Sequence, residues 1–186
     1  LQDGTLVAPA YPGYYLASGY NCPFAILPPC GTAIGAICTI TNPWAGQDPE
    51  WVGMDKVIGA GYGNSFYAVI DLNLLGPHDP SGARRSLCVI TKNPTGDDWS
   101  ATAISAGSTI AVVGPDFTVY TADGTSVKYL PSGSTTWQTT PAFNNGEILA
   151  LAISPDNVLY AGGSFTAQGS TGYTGVAKWD GTSWSP

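Results

Sequence analysis

A short pattern occurs twice in this chain at a constant spacing of 40 residues, and it limits the folds open to it. Laying Ile110 to Tyr120 over Ala150 to Tyr160 brings Pro115 onto Pro155, Asp116 onto Asp156 and Tyr120 onto Tyr160. In each copy an apolar run without helical periodicity enters a Pro-Asp turn and leaves it as a second apolar run. Proline presets φ and aspartate bonds its own backbone, so the pair predicts a hairpin connection. A chain that repeats a hairpin at such an interval is built from stacked small units.

The later copy, Ile148 to Trp184, is the more complete. Ile148 to Ile153 predicts a strand, Ser154-Pro155-Asp156-Asn157 a turn, and Val158 to Ala161 the return strand. Gly162-Gly163 then marks a place where a backbone passes closely or bends. A polar loop follows. Val176 to Trp179 predicts a third strand, Asp180-Gly181 a two-residue hairpin signal, and Thr182-Ser183-Trp184 the start of a fourth. Four antiparallel strands in about forty residues make one propeller blade.

Earlier stretches follow the same order less closely. Val127-Lys128-Tyr129 matches Ala177-Lys178-Trp179, and Trp137 falls where Trp184 does. Before them, Val57 to Ala60, Phe66 to Ile70, Leu87 to Ile90 and Trp99 give strand, strand, strand and closing Trp. The first fifty residues hold only Leu6-Val7, Tyr14 to Leu16, Ile37 to Ile40 and a Trp at 44 or 51, and Pro9, Pro12, Pro23, Pro28 and Pro29 break any long element. The expected architecture is therefore all-β and β-propeller-like, with three to four four-stranded antiparallel blades and no significant helix. Its divisions are a Pro/Gly/Cys-rich N-terminal segment over 1–54, which is a divergent blade if there are four, then blades over 55–99, 100–140 and 141–186. Trp99, Trp137, Trp179 and Trp184 are expected to fill the wedge between neighbouring blades. At about 46 residues per unit four blades permit a closed ring, whereas three require other chains or a longer one.

Gly162-Gly163 after an apolar strand, followed by Trp179 and Trp184, resembles kelch-type and related β-propeller repeats. The stretches AGGSF and VAKWDGTSW are similar to repeats in fungal cortical polarity-marker proteins and in bacterial and phage surface proteins. Residues 148–184 carry this resemblance. Earlier units depart from it, since Ala122-Asp123 and Val69-Ile70 stand where the Gly pair is expected. The resemblance implies a propeller fold and no single activity.

Charge narrows the function classes. Only 10% of the 186 residues are charged, and six Lys plus Arg against 13 Asp plus Glu leave a net charge of −7. No basic patch is available for phosphates, so nucleic acid is not an expected partner. Such Lys-poor, Ser/Thr/Gly/Tyr-rich chains are typical of extracellular, cell-surface or virion β-proteins. No apolar run reaches transmembrane length. The chain opens at Leu1 without Met, which implies a removed leader or a longer parent. Cys22, Cys30, Cys38 and Cys88 are even in number and lack a Cys-x-x-Cys pair, which fits two structural disulfides in one of three connectivities; buried free thiols are the alternative. Zinc needs closer spacing and usually more than the single His.

No catalytic constellation is legible. His78 is the only base for a triad and has only Asp79 beside it, and no nucleophile elbow, phosphate loop or EF-hand spacing occurs. Asp116, Asp123, Asp156 and Asp180 each have a local turn reason to be Asp. No cofactor or metal is expected, calcium at Asp/Asn turns being open but unsupported. The binding candidates are His78, Arg84 and Arg85 in the polar loop from Gly76 to Arg85, and Trp44, Trp51, Tyr62 and Tyr173 as platforms for stacking on sugars. The expected function is a non-enzymatic structural or adhesive module of an extracellular, cell-surface or fibre-like virion assembly. Its partners are other protein subunits, as a homo-oligomer or larger assembly, and glycans. The alternative is a secreted carbohydrate-binding or carbohydrate-active propeller.

Overall fold

The structure, a computed structural model, describes residues 6–9, 24–27, 40–41, 53–71, 85–92, 99–106 and 110–186. It divides into two compact units, residues 1–107 and 108–186. Among the described residues all regular structure is β, and no helix is long and apolar enough to cross a membrane.

In the first unit β1 (Leu6–Pro9) and β2 (Phe24–Leu27) form an antiparallel pair. The main sheet has five strands, β3 (Ile40–Thr41), β4 (Gly53–Ala60), β5 (Ser65–Asp71), β6 (Arg85–Lys92) and β7 (Trp99–Ala106), in the order β3-β7-β6-β5-β4. Strands β4 to β7 are an antiparallel meander, the order expected of the blade over 55–99. Two details differ from expectation. Strand β7 begins at Trp99 and runs on to Ala106, and β3 joins its outer side in parallel, pairing Ile40 with Trp99. Ile40–Thr41, at the end of the 37–40 run, is thus an edge on this sheet, and residues 37–39 lie outside the described residues. Successive residues of β5, Phe66 to Val69, are all buried. Since neighbouring strand residues point to opposite faces, both faces of this strand are covered, which is why FYAVI is continuously apolar.

The second unit holds two four-stranded antiparallel sheets. One contains β8 (Ala111–Val113), β9 (Val119–Asp123), β10 (Ser126–Leu130) and β11 (Gln138–Thr139), in chain order across the sheet. The other contains β12 (Ile148–Ile153), β13 (Leu159–Gly163), β16 (Val176–Trp179) and β17 (Trp184–Ser185). A small hairpin of β14 (Ala167–Gln168) and β15 (Thr171–Gly172) interrupts it. The two Pro-Asp connections are superimposable in detail. Gly114 N–H donates to Thr118 O at 2.8 Å and Phe117 N–H to Gly114 O at 2.9 Å; Ser154 N–H donates to Val158 O at 2.9 Å and Asn157 N–H to Ser154 O at 3.0 Å. Phe117 and Asn157 have φ of 63° and 62°. This is a turn followed by one left-handed residue, a standard three-residue hairpin loop. A bulky Phe rarely adopts that conformation, so its presence shows the loop geometry outweighing residue preference.

Strand pairing extends the equivalence through both sheets. Val112, Tyr120, Tyr129 and Gln138 lie abreast across the first sheet, as Ala152, Tyr160, Lys178 and Ser185 do across the second. Val113, Val119 and Leu130 correspond likewise to Ile153, Leu159 and Trp179. Continuing the β10–β11 register by one residue sets Trp137 against Leu130, as Trp184 stands against Trp179. The expected match of Trp137 with Trp184 is therefore reproduced. The expected match of Val127-Lys128-Tyr129 with Ala177-Lys178-Trp179 is not: the ladder aligns Lys128-Tyr129-Leu130 there. Strand three is reached through two residues in the first sheet and through the β14–β15 excursion in the second, so backbone pairing, not side-chain likeness, sets its register.

Within this unit the two sheets share one core. Tyr120 and Val127 of the first sheet cluster with Ile148, Leu159, Ala161, Ala177, Trp179 and Trp184 of the second, with Val112, Ala122, Tyr129, Leu151 and Ile153 against them. Opposite faces of equivalent sheets thus meet, one sheet offering its Tyr120 face and the other its Leu159 face.

Of the Gly162-Gly163 pair only the second is sterically required. A Cβ on Gly163 would collide with the Glu147 carbonyl oxygen across the β12–β13 bulge, whereas one on Gly162 would sit 3.8 Å from Ala150 Cβ. Gly163→Ala is expected to destabilise the second unit by roughly 1–3 kcal/mol, and Gly162→Ala to leave it within about 0.5 kcal/mol. Denaturant unfolding followed by amide exchange over residues 148–163 checks the pair.

Candidate functional site

Polar chemistry in the second unit gathers where the connection 141–147 meets the loop 164–175. Asn144 pairs with Gly169 as a strand would, Nδ2 donating to Gly169 O at 2.9 Å and Gly169 N–H donating to Oδ1 at 3.0 Å. Asn145 holds Thr166 through both its backbone and its hydroxyl, Oδ1 accepting from its N–H and its hydroxyl, both at 3.1 Å, and Nδ2 lying 2.9 Å from Oγ1. Gln168 Nε2 donates to Pro141 O at 3.1 Å and Ser164 Oγ accepts from Glu147 N–H at 2.9 Å. Beneath this exposed layer Phe143 stacks on Phe165 at 3.8 Å between ring centroids, with Tyr173 edge-on to both and Trp184 tilted beside Phe143. Asn144-Asn145-Gly146 is therefore more than the turn expected from its sequence, because two side-chain amides stitch a hairpin over an aromatic floor. The signal was present in the two adjacent Asn residues, whose amides mimic backbone.

A second cluster joins the equivalent Pro-Asp turns. Asp116 accepts from Thr118 N–H at 3.0 Å, from Thr118 Oγ1 at 2.9 Å and from Asn157 Nδ2 at 2.8 Å. Gly114 allows this approach, since its Cβ would press on Asn157 Oδ1 and lie 2.6 Å from Asp116 Oδ1. Burial first, and then the charge of Asp116, raise the Tyr120 hydroxyl above its ordinary pKa. Asp180 serves a third turn. Its Oδ1 accepts from Thr182 and Ser183 N–H, both at 2.8 Å, and these backbone donors, Ser183 first, hold its carboxyl below the usual range. The Asp180–Ser183 connection thus has four residues between Trp179 and Trp184, not the two expected from Asp-Gly, because the carboxylate organises the longer loop. Asp123 pairs with Lys128 Nζ at 2.7 Å on the surface. Among the described residues no group of three His, Cys, Asp or Glu is arranged to hold a metal ion.

The binding candidates fare differently. Tyr62 lies at the tip of the β4–β5 hairpin, 71% exposed, its carbonyl accepting from Ser65 Oγ at 2.7 Å. Tyr173 is buried, and Phe143 and Phe165 occupy its ring surface, so its expected role as a platform is corrected to a core role. Arg85 opens β6 opposite Asp71. His78, Arg84, Trp44 and Trp51 lie outside the described residues. So do Cys22, Cys30 and Cys38, while Cys88, expected as a disulfide candidate, is a free thiol. It is fully buried in the middle of β6, opposite Ala68 and Ala103 and 3.8 Å from Ser86 O. Trp179 and Trp184 pack together at 5.3 Å, the latter donating from Nε1 to Pro141 O at 3.2 Å, so both are architectural. Trp137 is half-buried and Trp99 opens β7.

Comparison with family models, with characterised proteins and with solved structures returns no match.

Two outcomes follow. The Tyr173 hydroxyl is buried without a hydrogen-bond partner, so Tyr173→Phe is expected to leave stability unchanged or raise it by up to ~1 kcal/mol, read by thermal unfolding. Burial pushes the Cys88 thiol from its ordinary value of 9.0 up to about 12. The unfolded chain releases this proton near 9 while the folded chain retains it, so the contribution is complete below pH 9 and is lost as pH rises from 9 towards 12. Urea midpoints should fall across that window, and less steeply in Cys88→Ala.

Proposed function

We propose that this chain is a non-enzymatic structural or adhesive module of β-propeller type, working in an extracellular, cell-surface or fibre-like virion assembly through its loops. The observation that carries this reading is the pair of equivalent four-stranded sheets in the second unit, stacked with opposite faces in contact. Radially repeated blades pack in that way, and β4 to β7 follow the same strand order in the first unit. The low charge of the chain suits a surface built from Ser, Thr, Asn and backbone groups, like the layer of Asn144, Asn145 and Thr166.

The carboxylates add support of a different kind. Asp116 bridges two turns, Asp123 pairs with Lys128 and Asp180 organises a loop, so each has a structural task at its own position. A glycoside-acting site needs two carboxylates held at a defined separation across a substrate. Partner recognition falls to exposed groups such as Tyr62 at its hairpin tip, with sugars or neighbouring subunits as the surfaces it meets.

A glycan array with the whole chain, followed by incubation with each captured sugar, tests the reading. Capture without turnover, weakened at least several-fold by Tyr62→Ala, is expected. Hydrolysis of a captured sugar would overturn it in favour of a carbohydrate-active propeller. Particle mass bears on assembly, and a monodisperse monomer of 19.2 kDa would remove that part.

A further inference from the structure

The last sheet leaves one face uncovered that its counterpart does not. Tyr160 corresponds to Tyr120 and Val176 to Val127 through the strand pairing above. Tyr120 and Val127 are 7% and 0% exposed, because the Leu159 face of the following sheet covers them. Tyr160 and Val176 are 40% and 56% exposed. Between them lie Ala150, Ala152 and Gly162, small residues that leave a flat floor. Beside them Leu149, the extra residue of the β12 bulge, is 60% exposed. Three of the four large apolar side chains exposed among the described residues thus belong to one strand ladder. Isolated exposed apolar residues are ordinary, but a contiguous group on a flat sheet face marks a contact surface.

We infer that the Tyr160–Val176 face is a docking surface for a further four-stranded sheet of this same repeat, which presents to it the equivalent of Leu151, Leu159, Ala161 and Trp179. The argument is continuity with the contact already made inside the unit. The equivalent ladder one repeat earlier is covered by that kind of face, and the uncovered copy matches it at the aromatic and β-branched positions. Lys178, where the earlier sheet has Tyr129, stands between Tyr160 and Ser185 in the row and is exposed, so an incoming face packs on its stem while the ammonium reaches water past the short Ser185. A second copy of the chain is not the occupant. The face it would have to supply from β8 to β11 is already buried at Ala111, Val119 and Thr121, and β5 of the first unit is buried on both sides.

The inference rests on the repeat relation that also supports the proposed architecture, and its readout is independent of any glycan or fibre. Gln138 and Ser185 occupy equivalent places, so appending a second copy of residues 140–186 directly after Pro186 reproduces the spacing between the existing sheets. Hydroxyl-radical labelling of Tyr160 is expected to slow about sixfold, the ratio of its 40% exposure to the 7% of Tyr120. Val176→Lys in the extended chain should restore the original rate, and in the unextended chain should leave labelling unchanged. A second extended version with a short Gly/Ser insert after Pro186 guards against a strained junction. Unslowed labelling in both versions, or slowing that Val176→Lys does not reverse, would overturn the inference. Concentration-dependent protection of Tyr160 in the unextended chain would overturn it too, by identifying a second copy as the occupant.

Discussion

A four-stranded sheet of about forty residues cannot bury its own apolar face, and the second unit is organised by that deficit. Its solution is to set the Tyr120 face of one sheet against the Leu159 face of the next. Each fully buried large side chain in the seam, such as Leu159 or Val127, contributes about 1.5–3 kcal/mol by leaving water. The other particulars follow from keeping this seam closed. Gly114 lets the two Pro-Asp turns approach until Asn157 reaches Asp116, and Gly163 lets β13 pass the Glu147 carbonyl. The Phe143, Phe165 and Tyr173 rings fill the space beneath the 164–175 loop, with Trp184 beside Phe143.

Because the contact joins unlike faces of equivalent sheets, it has a direction. A contact between like faces would close on itself after two sheets, but this one always presents another face of the kind just covered. Direction also explains why equivalent positions differ in burial. Val127 and Val176 occupy the same place in the ladder, and only the first has a sheet across from it. The low charge of the chain belongs to the same economy. Ionic groups are costly in a seam, and those of the described residues stay out of it: Asp116 and Asp180 satisfy donors in turns, and Asp123 pairs with Lys128 on the surface.

For function, the distinction is between residues that hold this stack and residues that face outward. Trp179, Trp184 and Tyr173 are of the first kind, although Tyr173 reads from sequence as a surface aromatic in a polar loop. Aromatic rings at loop positions carry no sign of whether they point to solvent or to a floor of other rings, and Phe143 and Phe165, which decide the matter, are separated from Tyr173 by 30 and eight residues. Tyr62 shows the opposite outcome. It stands at the hairpin tip beside Gly63, whose φ is 65°, and is 71% exposed. Cys88 was equally ambiguous by spacing, and it stands inside a strand whose neighbours are aliphatic, where a thiol serves as a small apolar group.

Sequence patterns were enough to read the β character of the described residues, the places of the Pro-Asp hairpins and the copying of the unit at 110 by the unit at 150. Those properties are local, set by proline's fixed φ, aspartate's bonds to its own backbone and apolar runs too short and unperiodic for helices. Sequence also placed Trp137 and Trp184 in equivalent positions. Packing set the register of the third strands, the attachment of Ile40–Thr41 to β7, the four-residue loop at Asp180 and the choice of covered sheet faces. These depend on partners far apart in the chain, since hydrogen-bond ladders accept many registers in isolation and burial selects among them only when a second face arrives. The repeat at 40 residues thus specified two equivalent ladders, and packing covered the Tyr120 face of one while the Tyr160 face of the other stays exposed.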